Sequence, residues 1–188
     1  MIKIGITGSL SSGKTTASKI LSTRRGPLFS ADKVVKNLYQ NKQFNFLIRK
    51  RFKIKNNNQI KKSLKKLILE NKANIKKLEK IIHPLVRIKM RNFTSQNKNK
   101  RLLFYEIPLL IESKLMKFFN VVIFIKAKKQ IRLKRFMSKR GDKKLFNFLN
   151  NKQIIDTKKI KFCDHVVVNE KNLSVLKKKL FAIINNYE

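Results

Sequence analysis

Residues 8–15 read Gly-Ser-Leu-Ser-Ser-Gly-Lys-Thr, and no other stretch limits the fold so tightly. Just before it, Ile2, Ile4 and Ile6 alternate with Lys3, Gly5 and Thr7, which predicts a short strand over residues 2–7. From Lys14 onward, Ala17, Ile20 and Leu21 share one face of a helix. Gly8 and Gly13 bracket the turn between strand and helix. Glycines there let successive N–H groups face inward at an anion, and the helix N-terminus adds unpaired N–H groups and the positive end of its dipole. In such a loop Lys14 reaches the β- and γ-phosphates of a nucleotide, and the Thr15 hydroxyl ligates Mg²⁺.

Four further apolar runs read as buried strands: residues 27–32, 101–106, 121–127 and 165–170. Helical patterns separate most of them, and alternation of this kind predicts a five-stranded parallel sheet with helices on both faces. Ligands of such sheets lie beyond the carboxyl ends of the strands, where Gly8, Asp32 and Glu106 fall. Between Asp32 and Arg101 there is no strand pattern. Leu64, Leu67, Ile68, Ile75, Leu78, Ile81 and Ile82 recur there at helical spacing, so residues 33–100 read as a helical insertion. Within it, residues 55–59 read as a loop and 94–100 as the linker back to the sheet. A second helical segment spans 128–152.

With 188 residues, 42% of them hydrophobic, the chain is expected to form a single domain with its own core. No run of apolar residues is long enough to span a bilayer, and the first strand starts too early for a signal peptide, so a cytoplasmic protein is expected. The single Cys163 excludes an internal disulfide and argues against a zinc site. The net charge is +37, from 47 Lys and Arg against 10 Asp and Glu. Such a field attracts polyanions of any kind. The cations are spread along the whole chain, mostly as Lys among many Asn, Ile and Phe, which also suits a biased genome.

Several side chains could carry chemistry. Asp32 follows an apolar strand and opens a helix, so it can cap that helix or accept a proton from a hydroxyl nucleophile beside the phosphate loop. Glu106 ends its strand in an acid, where it can orient Mg²⁺ through water, since Mg²⁺ keeps several waters and few protein oxygens. His83 precedes Pro84, so the helix before it is expected to stop there and another to begin at the proline. Arg132, Arg135 and Arg140 cluster although the chain has ten Arg in all. They read as a lid over the transferring phosphate or as a solvated face. The run Phe162-Cys163-Asp164-His165 has no second ligand cluster and reads as a turn into the last strand.

Taken in order, these segments resemble the dephospho-CoA kinase family along essentially the whole chain. The stretch 6–21 is similar to its phosphate loop and first helix, and 28–39 to its strand-end acidic segment, with Asp32 on the second acid and Ser30 in place of the first. Residues 78–90 are similar to its His-Pro segment, and 106–125 to its Pro-Leu-Leu segment and following strand. Residues 132–153 look like its lid, and 163–170 like its last strand. The resemblance implies transfer of the ATP γ-phosphate to the ribose 3′-hydroxyl of dephospho-CoA, with ATP and Mg²⁺ required. It implies Asp32 as base, with Lys14 and Arg140 acting on the transferred phosphate. Ser11, Ser12, Gly13, Lys14, Thr15, Thr16, Arg135 and Asn169 would bind ATP. His83, Arg87, Leu109 and Glu112 would bind the acceptor, and Thr15 would hold Mg²⁺ with Glu106 in the outer sphere. It also implies that the phosphate-loop strand is central, that the core comprises about 1–32 and 101–188, and that residues 132–152 form the lid. The expected partners are the two small-molecule substrates, with neither membrane nor specific nucleic acid, in a monomer or weak homo-oligomer. Two rivals share the phosphate loop. One is another small-molecule kinase, for a nucleoside, a nucleotide or shikimate; the other is a basic nucleic-acid-binding ATPase.

Overall fold

The computed structural model describes residues 1–55, 60–71, 73–139 and 141–188. The chain forms two compact units, Met1–Ser30 with Gln96–Glu188, and Ala31–Ser95.

The first unit is built on five parallel strands: β1 Ile2–Gly8, β2 Leu28–Ser30, β3 Leu102–Glu106, β4 Val121–Lys126 and β5 His165–Val168. Their order is β2-β3-β1-β4-β5, so the strand feeding the phosphate loop is central. It pairs with β3 from Ile2↔Leu102 to Ile6↔Glu106 and with β4 from Ile4↔Val121 to Gly8↔Ile125. Having neighbours on both sides and helices over the faces buries residues 4–8 completely, although the sequence alternates apolar and polar there. On one face, Ile4, Ile6, Phe104, Ile123, Ile125 and Val167 pack with Ala17 and Leu21 of helix α1 (Lys14–Ser22) and with Leu176, Leu180 and Ile184 of the C-terminal helix α9 (Leu173–Ile184). Asn172 caps α9 by accepting from Val175 N at 3.0 Å. The side chains of Tyr105, Phe29, Phe118 and Phe119 meet edge-on or tilted, with ring centroids 5.1–5.9 Å apart.

Strand β2 is shorter than its apolar run. Ala31 and Asp32 belong instead to helix α2 (Ala31–Leu38), so Asp32 lies in the first helical turn and not at the cap. The stretch 128–152 divides into α6 (Lys129–Met137) and α7 (Lys143–Asn151), the latter capped by Asp142, which accepts from Leu145 N at 2.7 Å. Arg140 lies outside the described residues. Helix α8 (Asp156–Ile160) follows, and residues 161–164 turn into β5 as their composition suggests. Burial first, and Asp164 second, push the Cys163 thiol up to about 12, with Lys159 pulling the other way. The thiol therefore keeps its proton at neutral pH.

The second unit is helical: α2, α3 (Lys42–Phe52), α4 (Ile60–Glu70) and α5 (Ala73–Gln96). Its core is Phe44, Ile48, Phe52, Ile54 and Leu64, with Leu78, Ile81, Ile82 and Leu85 packed against it. Those last four lie on both sides of Pro84, and this explains a departure from expectation. Helix α5 runs unbroken through Pro84, and through Thr94–Gln96, which the sequence marks as linker. A proline in a helix interior costs about 3 kcal/mol. Apolar contacts continuing on either side of it offset that cost. Residues 56–59 of the expected loop lie outside the described residues.

Candidate active site

The loop from Ser9 to Gly13 joins β1 to α1 at the carboxyl edge of the sheet. Two glycines make its path attainable. Gly8 has φ 150°, and a side chain there would strike the Ile125 carbonyl and come within 2.8 Å of Ser12 Oγ. Gly13 has φ 99°, and a side chain there would occupy the place of the Asn169 amide. Ser11 adopts the left-handed region at φ 57° without being glycine. That conformation costs of order 1 kcal/mol and persists only where the surroundings over-determine it.

The surroundings here are dense. Lys14 is buried, and its Nζ donates to Ser9 O at 2.9 Å, so the ammonium folds back into the loop's concavity. Ser12 N also donates to Ser9 O, at 3.1 Å. Asn169, buried at the end of β5, donates its Nδ2 to Ser12 O at 2.8 Å, and Arg135 of α6 reaches the same oxygen at 3.3 Å. Arg135 and Asn169, both implied to bind ATP, therefore meet at the loop. Arg132 is not a solvated cation. It is 6% exposed, donates Nε to Ala127 O at 3.1 Å, and places one terminal nitrogen 3.3 Å from Leu10 O and 2.8 Å from Asn150 Oδ1. Burial lowers its basicity, and the nearby Asp156 acts in the opposite sense.

At the first turn of α1 the Thr15 hydroxyl donates to Glu106 Oε1, at the end of β3. Two hard oxygens thus converge beside the loop, with Glu106 buried and Thr15 exposed. That donor set suits Mg²⁺, which takes oxygen ligands and keeps much of its water. Ser11 and Thr16 line the outer part of loop and helix start, half-buried and exposed respectively. Leu109 and Glu112 lie in the turns after β3. Glu112 is engaged within its own unit, 2.6 Å from Lys159 Nζ.

In the helical unit, Asp32 is exposed in the first turn of α2, where its charge also suits the helix dipole. His83 and Arg87 stand one turn apart on α5 and share a shallow depression with Lys76, Glu79, Lys80 and Pro84. This basic face lies opposite the apolar stripe of Leu78, Ile82 and Leu85.

The family model for CoaE, dephospho-CoA kinase, matches residues 2–174. The chain belongs to the dephospho-CoA kinase family. A dephospho-CoA kinase of Bartonella quintana is 34% identical over 188 residues, covering 97% of this chain and 96% of the relative. A solved dephospho-CoA kinase from Campylobacter jejuni superposes with a TM-score of 0.70 at 27% identity, covering 98% of this chain and 96% of that one. A solved structure from Thermus thermophilus gives a TM-score of 0.84 at 25% identity, covering 100% and 98%. Members of the dephospho-CoA kinase family are ATP-dependent kinases, and this chain is one. The nucleic-acid reading loses its footing for a second reason. Phe29, Phe44, Phe52, Phe104, Phe124 and Phe146 are buried and cannot stack on bases, although Phe46 and Phe162 are exposed. Among the described residues no helix is long and apolar enough to cross a membrane.

Gln153, Asp156 and Lys159 also touch the loop or its supports, and sequence reasoning passed over them. They sit in a stretch of mixed polar residues without periodicity, where no local signal distinguishes them.

Proposed function

We propose that the chain transfers the γ-phosphate of ATP to the ribose 3′-hydroxyl of dephospho-CoA, giving CoA and ADP. The observation that carries this reading is a family match extending from residue 2 to residue 174, so that the acceptor-side segments are included along with the phosphate loop. The loop's N–H groups and Lys14 hold the β- and γ-phosphates, with Ser11–Thr16, Arg135 and Asn169 around them. His83, Arg87 and Leu109 hold the acceptor. The 3′-oxygen forms its bond to the γ-phosphorus as the bond to the β–γ bridging oxygen breaks, and the hydroxyl proton passes to the Asp32 carboxylate. Thr15 and Glu106 would hold Mg²⁺, which supplies charge neutralisation on the phosphate oxygens when bound. Lys14 contributes a fixed positive charge where negative charge accumulates on the departing ADP. Arg140 is assigned to the closing lid of residues 132–152.

The test is purified protein with ATP, Mg²⁺ and dephospho-CoA, followed by mass spectrometry. A gain of one phosphate on the acceptor is expected. Phosphorylation of adenosine or AMP, with dephospho-CoA untouched, would overturn the reading.

A further inference from the structure

The segment running from the end of α7 into α8 carries polar side chains that the transfer chemistry leaves unused. Gln153 Oε1 accepts a hydrogen bond from Leu10 N at 3.0 Å, and Asp156 Oδ1 accepts one from the Ser9 hydroxyl. Asn150 Oδ1 accepts from the same Arg132 nitrogen that reaches Leu10 O. Residues 153 and 156 thus grip the outer rim of the phosphate loop at Leu10 and Ser9 directly, and Asn150 does so through Arg132. The segment is anchored in turn from behind. Glu112 Oε1 accepts from Ile154 N at 3.3 Å and lies 2.6 Å from Lys159 Nζ, which is wholly buried. One carboxylate from the turns after β3 therefore fixes two points of the segment.

A buried ion pair is a poor device for stability, because desolvating both charges offsets most of their attraction. It is a good device for register, since any other alignment strands a charge in the interior. Ser9 is where that register is transmitted. Its side chain is tied to Asp156, while its carbonyl receives both Lys14 Nζ and Ser12 N. A shift of Ser9 moves the resting partner of the phosphate-binding lysine.

We propose that Glu112, Gln153, Asp156 and Lys159 form a positioning strap that sets the phosphate loop for its nucleotide. Glu112 then serves the ATP side of the reaction and not the acceptor. This rests on the reading that the loop binds ATP.

The experiment titrates ATP directly by calorimetry and measures KM for both substrates in wild type, Gln153→Ala, Asp156→Ala, Ser9→Ala and Glu112→Gln. Each variant is expected to raise the Kd and KM for ATP about five- to tenfold, the scale of one lost hydrogen bond, with acceptor KM within about twofold of wild type. Ser9→Ala combined with Asp156→Ala should be no worse than either alone, because the two share one contact. Glu112→Gln leaves Lys159 charged and buried, so Glu112→Gln with Lys159→Met provides a variant without the stranded charge on which the same split is read. The strap is overturned if wild type binds ATP and Gln153→Ala and Asp156→Ala bind it equally well. It is also overturned if Glu112→Gln raises acceptor KM while leaving ATP KM alone. A wild-type chain that binds no ATP overturns the nucleotide reading and the strap together.

Discussion

The phosphate loop and the basic face of α5, proposed to hold the acceptor, are built in two different ways. The loop is over-determined: Ser9, Leu10 and Ser12 are held by side chains from α6, the α7–α8 segment, α8 and the end of β5, and one residue sits in the left-handed region as a result. The face of α5 carrying His83 and Arg87 belongs to a helix whose opposite stripe, Leu78, Ile82 and Leu85, fastens it to its own unit's core. Preorganised donors act where charge develops in a transition state, while accessible cations recognise an anionic ligand before chemistry begins. Damage to the first region should therefore appear in kcat and ATP affinity, and damage to the second in acceptor KM.

The largest expected effect is at Asp32. Asp32→Asn keeps the shape and loses the carboxylate proposed to accept the proton, and kcat should fall by roughly 10²–10⁴. Because Asp32 lies in the first turn of α2 and not at its cap, Asp32→Asn should keep the fold, with the helix-dipole contribution to the loss about 0.3–1 kcal/mol. Near-native turnover with a native melt would remove Asp32 from the mechanism. Next is Lys14→Ala, which deletes a preorganised cation; kcat should drop by about 10²–10³ with native circular dichroism. Unchanged turnover would make the loop decorative.

Arg87→Ala probes the other side. Losing one charge-assisted contact to an anion should raise acceptor KM by roughly ten- to a hundredfold and leave ATP KM alone. A matching rise in ATP KM would erase the contrast between the regions. The smallest effect concerns the field common to both. Raising ionic strength from about 0.05 to 0.5 M should lower kcat/KM a few-fold and kcat less, because screening weakens steering and not the buried contacts. A flat kcat/KM would mean that the charge of +37 has no part in capture.

Local chemistry was legible in the chain itself. The strand, loop and helix around residues 2–21 follow from side-chain alternation, two glycines and a helical stripe, all within one short segment. Four more apolar runs, separated by helical patterns, were enough for a parallel sheet, and Thr15 and Glu106 met at its edge as strand-end chemistry requires. What escaped was whatever depends on partners distant in sequence. Pro84 reads as a helix break because its missing N–H is a local fact. That α5 continues depends on apolar contacts to Phe44, Ile48, Phe52 and Leu64, which no window around the proline contains. Arg132 reads as a solvated or lid cation until its guanidinium is found among the oxygens of Leu10, Ala127 and Asn150. Lys159 looks like an ordinary surface charge, and the resemblance implies only an acceptor contact for Glu112. Only the folded chain brings them to 2.6 Å in the interior, since an ion pair's worth is set by burial and distance, and neither is written in the residues on either side of it.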